Sequence, residues 1–340
     1  MAQSPSTDNY TLGKGVVYFD QLSAGVYMGS RDLGNAPEFS FNIALEKLEH
    51  FSSRGGLKAK DKQVISQITP ACKFTLDEVN VDNIGLLTLG DVVVNSTTQA
   101  ANGYKLDEVL TFRGDKRSDL TYRNVGLYTL GFTCDTGGTL PAVGSTVTDG
   151  TGAGEVAAAV FTTGDTAGTL TLVLTTPGFT AGTLTNTGLT NALSTGAEVF
   201  VSGLLAVNDT ALLAGTVYVA GTDYSVSPNT ALKDAKIGRV LWDSGSAMAE
   251  GDTVYVSYNY LATTWSEIRA FNQTSLEGRL RFVSDNPVGG QQELTIWRCN
   301  LTPAGDTAMI GEDWSTLSFE GEILKDESNT DSPYMTFIIE

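Results

Sequence analysis

Between Pro37 and Leu76 the sequence alternates, and a period of two leaves the backbone little choice. Phe39, Phe41, Ile43 and Leu45 fall on one side of an extended chain, with Glu38, Ser40, Asn42, Ala44 and Glu46 on the other. Side chains of a strand point alternately to opposite faces, so this pattern predicts a half-buried strand whose aromatic and aliphatic side is core. The alternation resumes at Val64, Ile68, Cys72, Phe74 and Leu76, with Gln63, Gln67, Lys73 and Thr75 out of phase. Two long strands are therefore expected, separated by a charged stretch of sixteen residues from Lys47 to Lys62. A hairpin connection needs only two to five residues, so roughly a dozen are surplus. Two readings fit them: a solvated excursion, or an arm that touches another copy of the protein. In the second, Ser52, Ser53, Arg54, Gly55 and Gly56 form a tip that is mobile until it docks. Physics alone leaves both open.

A short helix is expected next. Asn80 suits the N-cap, Asp82 and Asn83 favour the first turn, and Val81, Ile84 and Leu87 share one face. That face is expected to pack on the sheet, with Gly90 ending the helix in left-handed conformation.

Several motifs follow one another in a fixed order: LGKGVVYFD at Leu12 to Asp20, DLGNAP at Asp32 to Pro37, EKLEHFSSRGG at Glu46 to Gly56, KDK at Lys60 to Lys62, and TLDEVNVDNIGLLTLGD at Thr75 to Asp91. The series resembles the major tail tube protein of long-tailed, siphovirus-type bacteriophages, and it covers about a quarter of the chain. Ala220 to Tyr260, with GTDYSV and then EGDTVYVSYNY, looks like a later part of the same family, in which a hairpin returns to the core sheet. The resemblance implies a structural virion subunit, assembled in the host bacterial cytoplasm, that builds stacked hexameric rings forming the DNA conduit of a tail. Its implied partners are further copies of itself, the tape-measure protein, tail-tip and tail-terminator proteins, and double-stranded DNA in transient passage. The implied assembly residues are Asp32, Leu33 and Asn35 in the turn and Lys47, His50, Phe51, Arg54, Lys58, Lys60, Asp61 and Lys62 in the arm.

Charge agrees with a conduit. A net charge of −18 and a pI near 4.4 repel phosphate and disfavour tight nucleic-acid binding. On the wall of a bore, the same sign would let DNA slide without sticking.

Composition shifts after Arg123, and no Lys or Arg recurs until Lys233. Within this interval Gly164 to Thr171 recurs as Gly178 to Thr185, a fourteen-residue spacing that a strand plus a turn would fill. Residues 133–206 are accordingly expected to be an inserted Gly/Thr-rich β domain on the outside of a tube, between core segments 1–132 and 207–340. Strands are expected to resume over Thr216 to Val226, Ile237 to Trp242, Asp252 to Tyr260, Glu277 to Val283, Gln292 to Asn300, Trp314 to Leu324 and Tyr334 to Ile339. The expected fold is mainly β: an antiparallel sandwich or barrel of the tail-tube type with one short flanking helix and the insert.

Signals for chemistry are weak. His50 is the one histidine, so triads and multi-histidine metal sites lack their parts, and its place in the charged stretch favours a solvated or interface role. Asp77/Glu78 and Asp107/Glu108 are carboxylate neighbours expected to be structural. The Gly150 to Gly154 tract lacks the strand-to-helix setting of a phosphate loop. Cys72, Cys134 and Cys299 read as buried thiols. No catalytic, metal or cofactor residues are expected. No apolar run reaches membrane-span length, and the first residues lack signal-peptide features. A β-sandwich module or adhesin that binds a surface glycan is the alternative. A two-carboxylate glycosidase is the remaining enzyme reading.

Overall fold

Alternation and turn residues turn most of the chain into antiparallel ladders. The computed structural model describes residues 10–93, 99–185, 188–227 and 233–339. Expectations for Met1 to Asn9, for the end of the strand over Asp91 to Thr98 and for the connection at Pro228 lie outside these residues. Among the described residues are twenty-four strands and two short helices, and neither helix is long and apolar enough to cross a membrane.

In chain order the first elements are β1 (Gly15–Ser23), β2 (Val26–Tyr27), β3 (Arg31–Asp32), β4 (Glu38–Ser52), β5 (Ala59–Leu76), α1 (Val81–Leu87) and β6 (Asp91–Val93). Then come β7 (Gly103–Thr111), β8 (Arg117–Asp119), β9 (Val125–Thr133), β10 (Thr146–Thr148), β11 (Ala153–Thr163), β12 (Ala167–Thr176), β13 (Leu193–Ser194) and β14 (Val199–Ser202). They are followed by β15 (Ala206–Thr210), β16 (Ala214–Tyr218), β17 (Tyr224–Ser225), α2 (Asp234–Ile237), β18 (Arg239–Trp242) and β19 (Thr253–Tyr260). The chain closes with β20 (Glu267–Arg269), β21 (Leu276–Ser284), β22 (Gln292–Pro303), β23 (Leu317–Ile323) and β24 (Met335–Ile339).

These elements pack as two units, one of Met1–Asn95 with Ser266–Glu340 and the other of Ser96–Trp265. In the first, the sheet runs β2-β1-β21-β22-β23-β5-β4, with β3 beside β1 and β24 beside β22. Its core holds Phe19, Leu33, Phe74, Leu280, Ile296, Leu301 and Phe319, with Phe74 stacked on Phe319 at 5.0 Å. Gly321 makes this possible, since a Cβ there would lie 2.6 Å from the Cys72 sulfur.

The helix α1 forms where expected but turns a different side inward. Asn80 caps it, its Oδ1 accepting from the Asn83 N–H at 2.8 Å. The buried positions are Asn83, Gly85 and Leu86 rather than the Val81/Ile84/Leu87 face. Hydrogen bonding sets the rotation. The Asn83 amide donates to the carbonyls of Leu33 and Glu78, both at 2.9 Å, and its Oδ1 accepts from Arg31 at 2.9 Å. The left-handed residue that ends the helix is Leu89, φ 47°, and not Gly90. Leu89 N–H donates to the Leu86 carbonyl at 3.2 Å and Gly90 N–H to the Gly85 carbonyl at 2.9 Å, a Schellman pairing. Gly90 is small for another reason: a Cβ would lie 2.7 Å from the Arg269 carbonyl oxygen.

In the second unit the main sheet runs β10-β11-β12-β9-β19-β15-β16, with β7 on β19 and both β13 and β14 on β9. Residues 133–206 do not stand apart here. Their strands pair directly with β9, along β12 and again along β13 and β14, so one unit spans 96–265. The shift in composition therefore marks a change in strand chemistry and not a boundary between units. The fourteen-residue repeat also diverges. Its first copy makes the turn into β12, while the second makes only two isolated bridges, Thr183 to Leu193 and Thr185 to Thr148. Carboxylates take its first backbone donors: Glu198 accepts from Gly178 and Phe179, and Asp149 accepts from Thr180.

Candidate assembly surface

The stretch read as a long loop is mostly strand. Pairing of β4 with β5 runs from Glu38 opposite Thr75 to Ser52 opposite Ala59, leaving a tip of residues 53–58. Opposite charges face each other across it. Lys60 pairs with Glu49, His50 Nδ1 lies 2.6 Å from Asp61 Oδ1, and Leu48 sits opposite Val64. Register shifts at Glu46/Lys47 and His50/Phe51 interrupt the strict period of two, which is why the alternation fades from the sequence there.

The other neighbour of β5 is β23, and that pairing covers only Ala71 to Leu76. Beyond it, residues 43–52 and 59–70 form a two-stranded ribbon with no third strand among the described residues. At ~3.3 Å per residue, the twelve positions 59–70 reach about 40 Å. Of the expected core side, Ile43, Leu45, Val64 and Ile68 are exposed along this length, as are Phe51 and Ile65, while Leu48 is 71% exposed and Leu57 at the tip 89%. Only the foot of the strand joins the core, where Phe39 stacks on Phe282 at 5.3 Å. Two strands in water bury too little to hold themselves firmly, and their edges offer unpaired backbone groups.

Its charge differs from that of the rest of the chain. Residues 43–70 hold five basic and three acidic side chains, which leaves sixteen basic and thirty-six acidic ones elsewhere. Among the described residues, Arg54, Lys58 and Lys62 take part in no ion pair.

The structure does not bring the turn and arm residues together. Asp32, Leu33 and Asn35 lie at the foot of β4, whereas Lys47 to Lys62 occupy its far half and the start of β5. Asp32 accepts from the Gly34 N–H at 2.8 Å, and Asn35 donates to Asp77 at 2.6 Å, so both serve the turn. Leu33 is fully buried in its own core and presents nothing to another copy. Sequence reasoning placed Phe51 in the arm, where it is exposed, but assigned Ile43, Leu45, Val64 and Ile68 to a core. It also missed residues 304–316, where Met309 (87%), Ile310 (96%) and Trp314 (93%) are exposed and β23 starts only at Leu317.

Two other sites bear on chemistry. A cleft of about 620 Å³ in the second unit is lined by Gln99, Tyr122, Arg123, Arg239 and Trp265. Its cations are engaged: the Arg123 guanidinium lies 4.1 Å over the Trp265 ring, and Arg239 meets Asp119 at 2.9 Å. Cys72 and Cys299 are buried, which pushes the first thiol up to about 12 and the second well above its ordinary value. Cys134 is only partly buried, contrary to expectation, because it lies beyond the end of β9.

One family profile matches residues 10–120 and 167–338, most of the chain. The chain belongs to that family, described as Protein of unknown function UCP028589. The match takes in the whole ribbon and residues 304–316, and it omits β9, β10 and β11. No curated protein matches the chain.

Proposed function

We propose that this protein is a structural, self-assembling subunit of the phage tail-tube type, building hexameric rings that stack into a conduit for DNA. The observation that carries this reading is the ribbon of residues 43–52 and 59–70, which exposes eight large apolar side chains counting Leu57 at the tip. Most of these are about half covered already, so docking adds about 1 kcal/mol each, or about 8 kcal/mol in all. Association costs on the order of 4–15 kcal/mol. One ribbon contact is therefore marginal by itself. A closed ring in which every subunit gives and receives a ribbon makes one more contact than an open chain of the same number of subunits and leaves no edge unmet, which favours symmetric assembly.

In this reading the acidic balance outside the ribbon keeps phosphate from adhering to the bore. The tape-measure protein occupies the bore during assembly, tail-tip and tail-terminator proteins cap the ends, and residues 133–206 lie on the exterior. Nothing in the reading requires catalysis. The alternative, a module that binds a surface glycan, draws on the cleft at Trp265, but Arg123 already covers one face of that ring.

Sedimentation velocity of the wild type beside a Leu45→Lys/Ile68→Lys variant tests the proposal. These residues face each other across the ribbon and are exposed, so the variant should fold yet sediment as a 36.0 kDa monomer, while the wild type sediments as hexamers or larger. A wild type that stays monomeric at every concentration would overturn the reading.

A further inference from the structure

We infer that residues 304–316, the loop joining β22 to β23, receive the ribbon tip of a second copy of this chain. The inference rests on the assembly reading and names the surface on which the tip docks. The loop holds Asp306, Glu312 and Asp313 and no basic residue. Around them, Met309, Ile310 and Trp314 stand almost fully in water. The tip is its chemical complement. Residues 52–62 hold Arg54, Lys58, Lys60 and Lys62 against the single acid Asp61, with Leu57 89% exposed among them.

Both surfaces carry charges that no partner among the described residues of the chain neutralises. The arginines elsewhere are largely engaged: Arg113 with Glu250, Arg117 with Asp234, Arg239 with Asp119, Arg279 with Asp20, Arg281 with Glu293 and Arg298 with Glu277. Among the described residues Arg54, Lys58 and Lys62 make no such pair, and neither do Asp306, Glu312 and Asp313. An acidic apolar loop repels nucleic acid and anionic lipid, so its occupant must be basic and apolar. In a chain with 39 acidic and 21 basic residues, the tip combines three unpaired cations with a leucine that is 89% exposed. Arginine and tryptophan recur at the energetic centres of interfaces, and a cation over the Trp314 ring would add to the charge match. The high exposure of the loop shows that the chain's own tip does not fill it.

Charge exchange tests the contact. Glu312→Lys/Asp313→Lys and Arg54→Glu/Lys58→Glu all change exposed side chains, so each double variant should keep the wild-type unfolding temperature. Each alone should raise the concentration for half-assembly at least tenfold, because like charges then meet. Mixing the two, or placing all four changes in one chain, restores opposite charges at every contact and should return assembly to near the wild-type concentration. Wild-type assembly that is indifferent to the Glu312/Asp313 reversal, or not rescued by the exchange, overturns the inference and leaves the assembly reading standing. A wild type that never assembles overturns both.

Discussion

Asn83 tests the reading of α1, because its side chain ties three segments together from a fully buried position. Replacement by alanine keeps the helix and its cap, since the Asn80 side chain bonds the backbone N–H of residue 83. It removes the acceptor for Arg31 and the donors to the carbonyls of Leu33 and Glu78. Two neutral bonds contribute about 1 kcal/mol each and the charged one about 1.5 to 3 kcal/mol. Arg31 is half-buried and can partly turn to water, which sets the expected loss for Asn83→Ala at about 3 to 4 kcal/mol. Asn80→Ala, which removes the cap alone, should cost about 1 kcal/mol. For a unit of this size the first change lowers the melting temperature by about 10 °C, well within reach of calorimetry. Urea titration of both variants gives the free energies. An Asn83→Ala loss below that of Asn80→Ala would refute the account of how the helix is held.

Thiol chemistry gives a second prediction. At pH 8 the native chain should react with a disulfide reagent at Cys134 first, while Cys72 and Cys299 react only on unfolding; a Cys134→Ser variant that still reacts rapidly would contradict the burial. The third concerns alkaline pH. Burial raises the phenols of Tyr224 and Tyr258, and for Tyr258 the bond to Glu108 raises it further. Both stay protonated in the folded state after unfolded tyrosines begin to ionise near pH 10, so their contribution is complete below that pH and lost above it. Each such group adds a slope of up to about 1.4 kcal/mol per pH unit, and Tyr258→Phe should remove one such contribution from the alkaline loss of stability in urea unfolding above about pH 10. A fourth is steric: a Cβ at Gly238, where φ is 73°, would lie 1.9 Å from the Tyr122 carbonyl oxygen. Gly238→Ala should cost at least about 3 kcal/mol by thermal unfolding.

Local chemistry made the strands legible wherever one face is core. Val254, Val256 and Tyr258 alternate in the sequence and are fully buried in β19, and Leu276 and Leu280 behave likewise in β21. The Asn80 cap was readable for the same reason, since a side-chain acceptor beside free N–H groups is a short-range signal. Alternation cannot tell which partner covers a face. Phe41, Ile43 and Leu45 carry the pattern of core residues, yet each stays more than 40% exposed, even Phe41, whose ring meets Phe337 at 5.6 Å. The bulges hid the outer ribbon, because they break the period of two on which the strand reading rests. The rotation of α1 depended on Asn83 reaching a carbonyl fifty residues earlier, which no local pattern encodes. In residues 304–316 the expected strand from Trp314 begins three residues late, at Leu317, and the apolar side chains before it stand out only once the fold leaves them uncovered.

Negative-stain electron microscopy of the purified wild-type chain addresses the central claim most directly. The account predicts hollow rings with six-fold symmetry, or tubes of stacked rings. A field of uniform single particles of 36.0 kDa across protein concentration and salt would contradict it.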